Sequence, residues 1–290
     1  MLSGANAGAL QDSAGGDAVG EVITSPPNGA GIVKKHIGAV RFEEISLNCG
    51  ADMEPALYQW MALMLDRVPE PRNGAIVAAD LNGVVKNQLT FLNGMLTEVT
   101  FPALSVGAKE VGSFHLRLRP EITRVEPPPM AFPPIGAVKK ARIWRVSDFQ
   151  LEIGGIPAEA TARVSKIDAI RIKQNVISNP GELRDFVEVD SLEVGNIVFT
   201  VSERFADPLI EWHRNFVVQG NAGDEEERYV VLRYLSPTLK DVLFTLFFTN
   251  VGIIRASRFG GTSKRAAERV VEVELYAEAV SFFVGDLPSA

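Results

Sequence analysis

Cysteine is nearly absent from this chain: Cys49 stands alone, so an intramolecular disulfide and any multi-cysteine metal site are excluded. A lone thiol of this kind reads as a small buried apolar residue. Histidine is almost as scarce. His36, His115 and His213 lie far apart with no His-x-x-x-His spacing, so neither a metal centre nor a catalytic base is expected among them. Long apolar runs are missing too; the most apolar stretch, 242–248, is strand-sized, and no membrane insertion is expected. The first residues lack the basic flank and apolar core of a secretory signal, which points to assembly in the cytoplasm. Positive charge is in deficit, with a net charge of -7. That argues against a dedicated nucleic-acid binder, yet suits a weakly repulsive channel wall past which an anionic polymer slides. Gly260–Arg265 lacks the glycine spacing and following Lys-Ser/Thr of a phosphate loop. With no nucleophile–base pair either, the sequence reads as a non-enzyme without a cofactor.

What is present is length, apolar content and punctuation. The 290 residues, 46% of them hydrophobic, have room for two domains. Residues 1–31 are rich in Gly, Ala, Ser and Asp and read as a flexible arm. Pro127, Pro128, Pro129, Pro133 and Pro134 exclude regular helix and central strand and mark a linker over 127–138. The expected domains are 32–126 and 139–285, with 286–290 a short tail.

The two halves repeat one order of elements. Each opens on an alternating strand, 40–45 or 197–201. An Asp and an early Pro then start a helix, with Leu57 and Trp60 on one face of the first and Leu209 and Trp212 on one face of the second. Tyr58, Trp60 and Trp212 read as core anchors of these helices. A hairpin follows through Asp80–Gly83 or Ser236–Thr238, then a strand ending near Asn93-Gly94 or Asn250-Val251-Gly252. The closing alternating strands are 114–119 and 271–276. The fold class is mainly β with one packed helix per domain.

In Leu57-Tyr58-Gln59-Trp60, Gly74-Ala75-Ile76-Val77, Asn93-Gly94 and Lys109-Glu110-Val111, taken in that order, the chain resembles the tail-tube proteins of contractile phages and phage-like injection systems. Phe149–Pro157 followed by Ala162–Ile167 is similar to that family's opening hairpin. The first repeat has no such segment of its own, so its hairpin is missing or comes from the arm or the partner domain. The resemblance implies two tandem tube-like β-sandwich or barrel domains and a structural role in a phage tail or injection-system tube. It also implies a (pseudo-)hexameric ring around a channel, built as a trimer of double units or as a hexamer. Sheath, baseplate and tube proteins are the implied partners, with DNA or protein cargo in the channel. A tube-capping or hub adaptor is the alternative.

Within such a ring Glu272 and Glu274 alternate with Val271, Val273 and Leu275 and face either the lumen or ordinary solvent. Asp224, Glu225, Glu226 and Glu227 form an acidic loop. It is either simply solvated or meets a basic segment of the next ring, Lys264, Arg265 and Arg269.

Overall fold

The computed structural model describes residues 1–27, 31–80, 84–127, 144–180, 185–259 and 269–288; the core of the proline linker lies outside them. The strands in the first half are β1 (Leu10–Gly15), β2 (Ala18–Thr24), β3 (Lys35–Phe42) and β4 (Ile45–Cys49), followed by α1 (Pro55–Leu65). Then come β5 (Arg72–Ala79), β6 (Val85–Phe101), β7 (Leu104–Ser105), β8 (Phe114–Arg119) and β9 (Ile122–Glu126). The second half runs β10 (Phe149–Ile153), α2 (Ala158–Thr161), β11 (Val164–Ile167), β12 (Ile170–Pro180), β13 (Asp185–Val194) and β14 (Ile197–Ser202). It closes with α3 (Asp207–His213), β15 (Arg228–Leu235), β16 (Val242–Phe259) and β17 (Val270–Val284). The protein is mainly β.

The two halves have the same strand order. In the first, β5 pairs β6, β6 pairs β8 and β9, β8 pairs β4, and β4 pairs β1; in the second, β15, β16, β17, β14 and β11 follow the same path. The register matches residue by residue. Leu96 opposes Leu118, which opposes Ile45; Ile253 opposes Leu275, which opposes Ile197. A bulge follows Leu96 in one and Ile253 in the other. The continuous β17 is divided into β8 and β9 around Pro120, whose missing N–H cannot serve a ladder.

Several expectations change. Residues 1–31 are not simply an arm: β1 pairs β4 and β2 pairs β3, so this segment supplies an opening strand for the first unit, β1 standing to β4 as β11 stands to β14. Leu2 even bridges Gly74, the place that β10 occupies beside β15. The strand corresponding to β14 is β4, beginning at Ile45, rather than 40–45, because the chain turns at residues 43 and 44 between β3 and β4. β10 and β11 are not a hairpin; the turn of α2 sends them to different partners, β15 and β14. Asn93 and Asn250 do not end their strands. Both adopt positive φ, 48° and 53°, a conformation that Asn tolerates better than most residues, and β6 and β16 bend there and continue.

The cores of the two units merge. Phe101 and Phe114 of the first lie beside Tyr234, Phe244 and Phe282 of the second, with Phe101 centred 6.0 Å from Tyr234 and 6.2 Å from Phe282. Trp144, fully buried, stands edge-on to Tyr234 and Phe244 at 5.3 and 5.5 Å. Helix α1 crosses the divide: Tyr58 stacks on Phe282, and Arg67 donates to the Glu278 carbonyl at 2.7 Å. Tyr58, Trp60 and Trp212 are buried, as core anchors should be. The Tyr58 hydroxyl donates to the Ala51 carbonyl and Trp60 Nε1 to that of Glu70.

Cys49 is inside this core. Burial, aided by the charge of Asp52, pushes its thiol pKa up to about 12, so almost no thiolate exists near neutrality. The native chain is expected to resist alkylation by iodoacetamide for hours and to react within minutes in denaturant; mass spectrometry of the time course checks this.

Candidate assembly interface

The two units meet along their sheet edges. The β12–β13 hairpin leaves the second unit and adds to the first unit's sheet, with Ile170, Arg171, Ile172 and Lys173 opposing Phe101, Thr100, Val99 and Glu98. β7 returns the exchange by pairing β11. Ile170, Ile172 and Val99 are fully or almost fully buried, so apolar packing closes this junction on one side. On the other side Glu98, only 8% exposed, takes Arg171 as its partner, with Arg117 at 4.0 Å. Gln174 seals the seam, its buried Nε2 donating to the Leu96 carbonyl at 2.8 Å.

The first unit has the equivalent hairpin, β2–β3, and it adds to nothing among the described residues. The equivalence is close. Ala18 opposes Phe42 as Ile172 opposes Val194, and Glu43 N donates to the Asp17 carbonyl as Gly195 N does to that of Arg171. Yet Val22, Ile23, Ile37 and Val40 are all more than half exposed. A two-stranded hairpin this apolar and this bare is marginal in water, and its outer edge presents unpaired N–H and C=O groups. β16 has the matching vacancy among the described residues: β15 covers it only as far as Val251, and from Gly252 to Phe259 it is paired on one side, to β17.

The residues singled out in the sequence separate in space. Glu272 and Glu274 lie on one face of β17, where Arg255 bridges them at 2.8 and 3.1 Å, and Asn196 donates to Glu274 at 2.8 Å. The acidic run divides. Asp224 and Glu225 are exposed, whereas Glu226 accepts from Asn215 and Glu227 from the Tyr276 hydroxyl at 2.6 Å. Arg269 is near Glu203, at 4.0 Å; Lys264 and Arg265 lie outside the described residues. Glu98, Arg117, Arg171 and Arg255 were not singled out. Their signal was a mismatch: matched by register, Glu98 corresponds to Arg255 and Arg117 to Glu274, so the charges reverse between repeats.

Burial and then Glu227 push the Tyr276 hydroxyl pKa up to about 12, against about 10 for an unperturbed tyrosine. The folded state therefore keeps a proton that the unfolded chain releases. This contribution to stability is complete below about pH 10 and is lost as pH rises toward 12. Tyr276→Phe is expected to flatten that part of the stability–pH curve, measured by urea unfolding from pH 9 to 12.

Among the described residues no group of His, Cys, Asp and Glu is arranged to hold a metal ion, and no helix is long and apolar enough to cross a membrane. No family model matches the chain, and no curated protein matches it either. Among solved structures it is similar to a component of the sheath–tube complex of an extracellular contractile injection system, with 16% identity, 47% of this chain and 88% of that one covered, and a TM-score of 0.36. It is similar also to a component of the tube-terminating cap of the anti-feeding prophage, with 11% identity, 55% and 96% covered, and a TM-score of 0.37. A third is Hcp1 from Salmonella typhimurium, with 16% identity, 47% and 84% covered, and a TM-score of 0.30.

Proposed function

We propose that this chain is a double tube unit, a structural component of the inner tube of a phage tail or contractile injection system, and that three copies close into a ring of six units around a channel. The observation that carries the reading is the repeated strand order joined edge to edge within one chain, while among the described residues the corresponding edges at the two extremes, β2 and β16, stay open. A chain with one made junction and two complementary open edges repeats head to tail, and a head-to-tail contact closes into a ring when its rotation permits. Closure pairs the open edges and covers the bare β2–β3 hairpin. Sheath, baseplate and neighbouring tube rings are the partners this role implies, with DNA or protein cargo in the channel. In such rings Glu272 and Glu274 belong to the wall, and Asp224 and Glu225 to a surface open to the next ring.

Negative-stain electron microscopy of the purified chain tests the role. Hollow rings or stacked tubes are the expected result. A particle formed only with another tail protein would replace the reading with that of a cap or adaptor.

A further inference from the structure

The chain carries a worked example of the contact it lacks. Residues of β6 and β12 that meet inside the chain have counterparts in β16 and β2 that, among the described residues, meet nothing on those edges. Register transfers the pairing: Val99 opposite Ile172 becomes Ala256 opposite Ala18, and Thr100 opposite Arg171 becomes Ser257 opposite Asp17. The backbone supports this phase. The Asp17 carbonyl is taken by Glu43 N, so strand alternation turns the N–H and C=O of Ala18 to the open edge.

Charge then distinguishes the two junctions. Inside the chain a cation on the hairpin, Arg171, meets an anion on the long strand, Glu98. At the open edges the signs are reversed: Asp17 is on the hairpin and Arg255 on the long strand, both exposed. Arg255 already has Glu272 and Glu274 behind it, as Glu98 has Arg117.

Resting on the tube-unit reading, we infer that β2 of one chain adds to β16 of a second copy in this register, with Asp17 reaching Arg255, and that the reversed polarity dictates which edge meets which. The β2 hairpin bearing Asp17 is repelled from Glu98, whereas on β16 it meets a guanidinium that Glu272 and Glu274 hold in place. The units therefore alternate, first with second, and the contact between chains cannot displace the contact within one.

The test compares wild type, Asp17→Arg, Arg255→Asp and the doubly reversed chain by native mass spectrometry at equal concentration. Arg255→Asp should weaken ring formation by about tenfold or more, since carboxylates then face Asp17; Asp17→Arg should weaken it less, because Glu272 and Glu274 stand beside Arg255, and the double reversal should restore it. Because Arg255→Asp puts three carboxylates together and risks misfolding, a second variant combines Asp17→Cys with Ser257→Cys. This is a non-hydrogen-bonded pair with Cα atoms expected about 4.5 Å apart, which suits a disulfide; buried Cys49 does not compete. Mild oxidation should then link chain to chain on a non-reducing gel. Rings from all four chains without a cross-link would overturn the register while leaving the tube reading in place. No self-association and no cross-link by wild type and the cysteine pair would overturn both.

Discussion

Replacing Trp144 by Ala is expected to cost about 3–5 kcal/mol, the usual range for emptying a buried aromatic site. The indole is fully buried and does two jobs at once. It stands edge-on to Tyr234 and Phe244. A Cβ built on Gly112 would lie 2.1 Å from it, so glycine is required where the first unit's chain passes over the ring. The Trp144 backbone carbonyl accepts from Gly112 N at 2.9 Å. The cavity left would open where the first unit meets the second, so the loss should show as lost cooperativity as well as lost stability. Wild type is expected to unfold in urea as one transition, and Trp144→Ala in two, followed by circular dichroism and near-ultraviolet signals together. One cooperative transition at the wild-type midpoint would mean that Trp144 does not couple the units.

Glu98→Lys is the second large effect. Glu98 is nearly buried between Arg171 and Arg117 and opposite Lys173. A lysine there puts another cation among cations and leaves Arg171 without its partner. Breaking a buried pair costs about 3–5 kcal/mol; Arg171 is itself 57% exposed, so the lower end applies. The damage should be local. Limited proteolysis is expected to cut the loosened β12–β13 hairpin in Glu98→Lys and not in wild type, and Arg171→Glu added to it should recover part of the protection. Equal protection in all three chains would remove Glu98 as the clasp of the junction.

Much of the fold was legible in sequence because it depends on local pattern. The alternation Val271, Glu272, Val273, Glu274, Leu275 pointed to a strand within β17, and Val271, Val273 and Leu275 are fully buried there. The Asp-Pro start placed α3, which begins at Asp207, and Trp60 and Trp212 are core residues as their helical spacing implied. What failed was long-range. Residues 1–31 looked like an arm because their strands are short and bury little; β1 is held by pairing to β4, and nothing in its own composition announces that partner. The prolines marked a boundary between two tandem domains; the aromatic cluster and the shared sheet that cross it have no local signature. The charge reversal between Glu98 and Arg255 was hidden for the opposite reason, since matching repeats by likeness discards a position where the repeats differ in sign. Glu272 and Glu274 read equally as lumen or solvent residues; their bridging by Arg255 was invisible because Arg255 lies on another strand.

If one chain is two tube units, three chains complete a ring of six. Native mass spectrometry of the wild-type chain across a range of concentrations tests it most directly. The expected result is a closed species with the mass of three chains, or of a multiple of three where rings stack, and no accumulation of open chains of other lengths. A monomer persisting at the highest concentration, or a closed species whose number of chains is not a multiple of three, would contradict it.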